Sequence, residues 1–165
     1  MLIREATVDD WPAIYPAFAA VTAEGETYAY PAGLSSEDAR VLWTGQGRVV
    51  VAVDHDGEAD GTVLGTATMG PNRPGRGSHV ATASFMVSAD ARGRGVGRAL
   101  GEHMLEWAAA EGFRAVQFNA VVETNTAAVA LWRSLGFVVV GTVPEAFDHP
   151  RLGLVGLHVM HRFLP

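Results

Sequence analysis

The chain of 165 residues has no cysteine and no lysine, and its twelve basic residues are all arginine. The absence of cysteine excludes a disulfide, a thiol nucleophile and an acyl-cysteine intermediate, so any acyl transfer would be direct or would use another nucleophile. The absence of lysine excludes a Walker A phosphate loop, because that motif places a lysine directly after its last glycine.

Long apolar runs and positive charge are also scarce. No stretch approaches the ~20 apolar residues of a membrane span. Charged residues interrupt the amino-terminal segment where a signal peptide needs an apolar run, namely Arg4, Glu5, Asp9 and Asp10. A formal net charge of -6 disfavours nonspecific binding to nucleic acid or to an anionic membrane. We therefore expect a cytoplasmic protein with small-molecule partners and with no nucleic-acid or membrane partner.

Composition and periodicity indicate one α/β domain over residues 1–165. The chain is 48% hydrophobic, and a domain of ~150 residues already buries about two thirds of its unfolded surface. Apolar spacing, caps and turn residues predict the order β-α-α-β-β-β-α-β-α-β-β. The predicted strands are residues 2–6, 48–54, 62–69, 80–87, 115–121, 137–143 and 154–163; helices are predicted from Thr7, from Ser35, over 96–108 and over 126–135; a hairpin turn is predicted at His55-Asp56-Gly57 and a loop over 144–151.

A stretch rich in glycine and arginine, Arg92-Gly93-Arg94-Gly95-Val96-Gly97, lies between the predicted strand of residues 80–87 and an amphipathic helix. The first N–H groups of a helix have no partner inside it, and the helix dipole is positive at that end, so a pyrophosphate fits there. Arg92, Arg94 and Arg98 add guanidinium donors that match phosphate oxygens. The dinucleotide fingerprint G-x-G-x-x-G is excluded, because its third glycine is missing in both registers.

The remaining pattern, Arg92-x-x-Gly95-x-Gly97, resembles the acyl-CoA signature of the GCN5-related N-acetyltransferases, which is Gln/Arg-x-x-Gly-x-Gly/Ala. A second segment, residues 125–137, resembles the family's Asn-x-x-Ala-x-x-Leu-Tyr-x-x-x-Gly-Phe segment. The resemblance spans roughly residues 1 to 163. It implies a mixed, mostly antiparallel sheet of about seven strands flanked by about four helices. In that fold the strands of residues 80–87 and 115–121 run parallel and splay apart, and acyl-CoA enters between them.

The resemblance implies that acetyl-CoA is the cosubstrate. The backbone N–H of Val87 would polarise the thioester oxygen, and backbone groups of Met86 and Val87 would pair with the pantetheine arm like an added strand. Asn125 would hydrogen-bond the same arm, although an asparagine before a helix is equally typical of an N-cap. The expected cofactor residues are Met86, Val87, Arg92, Gly93, Arg94, Gly95, Val96, Gly97, Arg98 and Asn125.

Trp132 departs from the family pattern, which commonly has a tyrosine here to protonate the leaving thiolate. An indole N–H can donate a hydrogen bond to sulfur, but it cannot serve as the acid. The coenzyme thiolate, with a thiol-like pKa of about 8.5, can leave without a strong acid. A large aromatic residue at helical spacing is as typical of core packing, so the sequence leaves both interpretations open.

Asn119 lies on the predicted strand of residues 115–121 and precedes Asn125 by six residues. This pair resembles the branch of the family that acetylates toxic proline analogues and other small amino acids, where an asparagine orients the amine through water. Asparagine cannot accept a proton at neutral pH, so water would have to supply the base. The alternatives for the base are Glu123, Glu24 and Glu26, and the expected acceptor residues are Glu24, Tyr28, Tyr30, Thr82 and Asn119.

These features predict transfer of an acetyl group from acetyl-CoA to a small primary or secondary amine, by direct attack in a ternary complex. An amino-acid-like acceptor is favoured, although Thr82 stands where that branch tends to have a further asparagine. No metal is expected, since His158 and His161 are three apart on a predicted strand and face opposite sides. The alternatives are a protein amino terminus, an antibiotic or a polyamine as the acceptor, and a noncatalytic acyl-CoA sensor. The sequence leaves open whether the chain forms a homodimer.

Overall fold

A seven-stranded mixed sheet organises the computed structural model, which describes residues 1–45, 47–54 and 61–165. The strands are β1 (Leu2–Glu5), β2 (Arg48–Val53), β3 (Val63–Pro71), β4 (Val80–Val87), β5 (Ala115–Val122), β6 (Val138–His149) and β7 (Gly153–Phe163). The helices are α1 (Trp11–Glu24), α2 (Ser36–Thr44), α3 (Val96–Ala110) and α4 (Thr126–Ser134). The predicted hairpin turn at His55-Asp56-Gly57 lies outside the described residues.

The strand order is β1-β2-β3-β4-β5-β7-β6, and every neighbouring pair is antiparallel except β4 and β5. These two parallel strands pair at Val80 with Ala115 and at Ala81 with Val116, and beyond those residues they separate. The predicted order of elements, the mixed sheet and the splayed parallel pair are therefore confirmed.

The turn into α1 is held by a buried carboxylate. The backbone N–H of Thr7 donates to Asp10 Oδ2 at 2.6 Å, and the Arg4 guanidinium donates to both Asp10 oxygens at 2.7 Å. The hydrogen bond from Arg4 lowers the pKa of the Asp10 carboxyl from 3.8 to about 2, because it favours the charged form. Ser35 is the N-cap of α2, where a helix start was predicted, and its hydroxyl accepts the backbone N–H of Asp38 at 3.1 Å.

Hydrophobic clusters cover both faces of the sheet, because successive side chains of a strand point to opposite sides. On one face α1 and α2 pack around Trp43 and the strand residues Val51 and Met86. On the other face α3 and α4 pack on Val116 and Phe118. The separated ends of β4 and β5 lie between these two clusters. Within the described ranges, no helix is both long enough and apolar enough to cross a membrane.

The loop predicted over residues 144–151 is wrong for most of its length, because β6 continues as far as His149. The register with β7 shifts between Val143 and Phe147, and Glu145 adopts a φ of 53°, so a bulge carries the strand past Pro144. The proline and its acidic neighbour interrupt the local strand pattern, whereas pairing with β7 restores the strand. Beyond the bulge Phe147 is buried and faces the space between β4 and β5.

Candidate active site

A cavity of about 580 Å³ lies between the separated strands β4 and β5. Its walls come from the end of α1 and the loop after it, from β4 and β5, from α4, and from the β6–β7 hairpin. Both sets of expected site residues contribute to the lining: Glu24, Tyr28, Tyr30, Thr82 and Asn119 from the acceptor set, and Met86, Val87, Arg92, Asn125 and Trp132 from the cofactor and leaving-group set. Residues 93–98 lie outside this lining.

The backbone of β4 presents alternate residues to the cavity. The N–H of Ser88 donates to the Leu64 carbonyl at 2.9 Å, and the Val80 carbonyl accepts from Asn72 N–H at 2.7 Å, so even-numbered residues of β4 direct their backbone groups toward β3. The period of two then directs the backbone groups of Val87 into the cavity and those of Met86 toward β3. Of the two residues expected to pair with pantetheine, Val87 has the suitable orientation.

Tyr28 occupies the cavity side of β4 at Phe85. Its hydroxyl donates to the Phe85 carbonyl at 2.7 Å and accepts the Phe85 N–H at 2.8 Å, so it takes the place of a neighbouring strand. The ring stacks on Tyr30 at 5.3 Å and meets Trp43 edge-on at 6.5 Å. Burial raises the pKa of the Tyr28 phenol above its ordinary value, so the hydroxyl remains protonated and continues to donate.

The glycine loop leads directly into the first turn of α3. Gly93 and Gly95 have φ angles of 78° and 80°, which an L side chain rarely adopts, and a Cβ at either position would meet nothing within 4 Å. A Cβ at Gly97, in contrast, would lie 3.4 Å from Leu131 Cδ2, in van der Waals contact with α4. Gly93 and Gly95 therefore leave the backbone before α3 accessible to a phosphate.

The three arginines of the loop have acidic or polar partners. Arg92 Nη2 donates to both carboxylate oxygens of Glu24, at 3.0 and 2.8 Å. Arg94 pairs with Asp54 at 2.5 Å, and Arg98 donates to the Ser134 hydroxyl at 2.7 Å. A phosphate that binds Arg92 therefore competes with the carboxylate of Glu24.

Asn119 lies in the middle of a row of three carboxamides. Its Nδ2 donates to Asn72 Oδ1 at 2.6 Å, and its Oδ1 accepts from Gln117 Nε2 at 2.8 Å. In this arrangement the Nδ2 of Asn119 donates and its Oδ1 accepts. The sequence offers no signal for Asn72, which follows β3 and is 47 residues away in the chain.

The three carboxylates considered as bases have different surroundings. Glu24 and Glu26 line the cavity, and each is paired with an arginine: Glu24 with Arg92, and Glu26 with Arg151 at 2.6 Å. Glu123 does not belong to the lining, and its Oε1 accepts the backbone N–H of Gly156 at 2.5 Å. That hydrogen bond connects the end of β5 to β7 just beyond a register shift. Glu123 therefore has a structural role and does not face the cavity.

Asn125 is the N-cap of α4. Its Oδ1 accepts the backbone N–H of Ala128 at 3.2 Å, while the residue also lines the cavity. The N-cap role is thus present in the structure. The amide Nδ2 has no partner among the described residues, so it can donate to a ligand. At the other end of the helix, Gly136 has a φ of 84°, which is typical of a left-handed helix cap.

Trp132 combines the two interpretations that the sequence leaves open. Its ring packs at 4.8 Å from both Phe85 and Phe118, and the residue is only 7% exposed, which is typical of a core position. It also lines the cavity, and in the described part of the chain its indole N–H has no hydrogen-bond partner. Trp132 is therefore a packing residue that also forms part of the cavity wall.

The histidines do not form a metal site in the described residues, where no group of three or more His, Cys, Asp or Glu side chains is clustered. His158 instead shares a hydrogen bond of 2.8 Å with the Thr142 hydroxyl on β6. His149 is 5% exposed, and its Nδ1 accepts the backbone N–H of Arg151 at 3.2 Å, so it stabilises the β6–β7 turn.

Comparison with known proteins agrees with this geometry. The model of the Acetyltransferase (GNAT) family matches residues 11–137, which is more than half of the chain. The chain therefore belongs to the GNAT family and is an acyltransferase.

The curated relatives include proteins of different lengths. The L-methionine sulfoximine/L-methionine sulfone acetyltransferase of Pseudomonas paraeruginosa is 34% identical over 152 residues, which cover 87% of this chain and 83% of the relative. The N-acetyltransferase aca1 of Schizosaccharomyces pombe is 38% identical over 85 residues, or 52% of this chain. Protein SPT10 of Saccharomyces cerevisiae is 37% identical over 92 residues, or 53% of this chain. The matches span 41% of aca1 and 14% of SPT10.

Solved structures share the fold over almost the whole chain. A GCN5-related N-acetyltransferase from Kribbella flavida is 64% identical, with a TM-score of 0.92 and coverage of 99% of this chain and 97% of that chain. A phosphinothricin acetyltransferase from Sinorhizobium meliloti, in complex with AcCoA, is 24% identical, with a TM-score of 0.84 and coverage of 99% and 88%. At that identity the second likeness shows the fold alone.

Proposed function

We propose that the protein transfers an acetyl group from acetyl-CoA to a small primary or secondary amine, with an amino-acid-like acceptor favoured. The observation that carries this proposal is the cavity-facing backbone of Val87, which lies at the end of β4 and shortly before the glycine loop at the start of α3. The methionine sulfoximine/sulfone acetyltransferase, whose match covers most of both chains, supports an acceptor of amino-acid size.

Successive parts of acetyl-CoA, from the pyrophosphate to the thioester, each have a proposed binding group in the protein. The N–H groups at the start of α3, together with Arg92, would hold the pyrophosphate. The Val87 N–H would donate to the thioester oxygen, where negative charge develops as the amine attacks. The new bond joins the amine nitrogen to the carbonyl carbon, and the bond to sulfur then breaks. The thiolate departs with the electron pair, and the amine loses one proton.

Asn119 would orient the acceptor amine. Its row of partners leaves one lone pair of Oδ1 and one N–H of Nδ2 available, so the residue can accept from an amine and donate to a water or to an acceptor oxygen. An alkylamine is almost wholly in its protonated, ammonium form at neutral pH, so a proton must leave before or during attack. Water would take that proton, with Glu24 and Glu26 as the carboxylates of the cavity that could replace it.

Trp132 would assist the leaving group by donating its indole N–H to the sulfur. Because a thiol has a pKa of about 8.5, the thiolate is a competent leaving group at neutral pH and does not depend on an acid at this position. The aromatic neighbours Phe85 and Phe118 hold the indole in place.

The test is release of free thiol from acetyl-CoA in the presence of single amines. The panel contains methionine sulfoximine, proline analogues, neutral amino acids, a polyamine and a short peptide with a free amino terminus. We expect turnover with a small amino acid or its analogue and none with the peptide. Turnover with the peptide or polyamine alone would refute the acceptor class. Tight binding of acetyl-CoA without turnover of any amine would instead favour a noncatalytic acyl-CoA sensor.

A further inference from the structure

The direction of β4 determines where an acyl group points, if acetyl-CoA binds as proposed above. The glycine loop follows the carboxyl end of β4, so a pantetheine arm that starts at this loop reaches Val87 first. Whatever extends beyond the thioester then runs back along the strand, toward Phe85. A thioester held at the N–H of Val87 therefore directs its acyl chain toward the backbone of Phe85.

The Phe85 position is already occupied by Tyr28. Since the hydroxyl bonds both backbone groups of Phe85, its oxygen lies on the cavity edge of β4, two residues before Val87. The ring is held from behind by a row of aromatic contacts, in which Tyr28 stacks on Tyr30 and Tyr30 stacks on Phe18 at 5.9 Å. Tyr28 is therefore a fixed obstacle in the path of the acyl chain.

The space in front of this obstacle fits a short chain. Two residues of a strand span about 7 Å, and a van der Waals contact takes up about 3.5 Å of that distance. About 3.5 Å then remains for the carbons beyond the thioester carbonyl. Acetyl adds one carbon–carbon bond of about 1.5 Å. Butyryl adds three such bonds, which extend about 4 Å in a zigzag chain.

We propose that Tyr28 limits the acyl donor to acetyl and propionyl groups, with its hydroxyl as the end of the acyl pocket. This inference rests on the proposed function and assigns Tyr28 to the acyl donor, in place of the amine acceptor expected from the sequence. The hydroxyl has little capacity left to bind an acceptor, since its proton and one lone pair are engaged by Phe85. Its position in the aromatic row also leaves the ring no room to turn aside.

The experiment measures the affinity of acetyl-, propionyl-, butyryl- and hexanoyl-CoA by calorimetry, which needs no knowledge of the amine. For the unaltered protein we expect acetyl- and propionyl-CoA to bind with similar affinity, and butyryl- and hexanoyl-CoA to bind at least tenfold more weakly. Tyr28→Phe, which removes one oxygen and retains the ring packing, should admit butyryl-CoA but still reject hexanoyl-CoA. Tyr28→Ala should admit both.

Tyr15→Phe is the matched control, because it also removes a partly buried tyrosine hydroxyl. That hydroxyl donates to the Leu34 carbonyl at 2.9 Å and not to Phe85. It should leave the order of affinities unchanged. Thermal melts establish that each variant is folded, and Tyr28→Phe keeps the test decisive if Tyr28→Ala does not fold. Equal binding of butyryl- and acetyl-CoA by the unaltered protein would overturn the role of Tyr28, as would an unchanged ratio in the folded Tyr28→Phe variant. Failure of every acyl-CoA to bind would overturn the proposed function as well.

Discussion

Glu24→Gln should strengthen the binding of acetyl-CoA, even though it alters a residue of the cavity. In the structure the Glu24 carboxylate accepts two hydrogen bonds from Arg92, the first residue of the predicted phosphate-binding pattern. A pyrophosphate that recruits Arg92 must first displace this carboxylate. Glutamine keeps the length of the side chain but removes its charge, so the competition becomes weaker.

The size of the effect follows from the exposure of the pair. The side chains of Arg92 and Glu24 are 53% and 40% exposed, so water and salt screen their attraction strongly. Exposed pairs of this kind contribute about 0.2–1 kcal/mol, and the two hydrogen bonds to one carboxylate place this pair toward the upper end. We therefore expect the dissociation constant for acetyl-CoA to fall about two- to fivefold at low salt.

The assay is isothermal titration calorimetry at about 0.01 M and 1 M ionic strength, where the Debye length falls from about 30 to 3 Å. Glu26→Gln is the charge-matched control, since it also removes a cavity carboxylate but its partner is Arg151. The gain should be specific to Glu24→Gln and should shrink at high salt. Weaker binding by Glu24→Gln would show that the pair holds Arg92 ready for the phosphate, and would refute competition between Glu24 and the phosphate.

Three further predictions concern stability, the acceptor and the leaving group. Asp10→Asn should lower the free energy of unfolding by about 2 kcal/mol at pH 7, because Arg4 lowers the pKa of this carboxyl from 3.8 to about 2. In urea titrations the stabilisation by Asp10 should be fully present above about pH 5 and should disappear as the pH falls through 2. A difference in unfolding free energy between the two proteins that does not change with pH would contradict this prediction. Asn72→Leu should reduce turnover of the preferred amine at least tenfold without weakening the binding of acetyl-CoA. Asn72→Asp, which can still accept a hydrogen bond from Asn119, should retain most of the rate. An equal loss of turnover in both variants would mean that the Asn72 amide donates to the acceptor itself. Trp132→Phe should reduce turnover by less than the ~100-fold typical of losing a general acid, and a larger loss in a folded variant would give the indole a greater part in thiolate departure.

The element order and the proposed site for acyl-CoA follow largely from local patterns. The glycine loop, its preceding strand and the helix after it occupy one continuous stretch, and backbone N–H groups at a helix start bind anions whatever their distant neighbours are. The end of β6 could not be predicted in the same way. Pro144 and Glu145 are typical of a loop, and the strand continues there because β7 supplies the pairing and a bulge absorbs the irregular residues.

By itself, the sequence determined the resemblance to the GNAT family and the place of the glycine loop, because motif spacing and hydrophobic periodicity are properties of short segments. The splayed pair of strands was expected only through that resemblance. Only the tertiary structure decided which residues face the cavity and what their partners are. Tyr28 meets Phe85 across 57 residues, and Glu24 meets Arg92 across 68. Asn119 meets Asn72 across 47 residues. These contacts depend on how the fold brings distant segments of the chain together, so no local pattern records them.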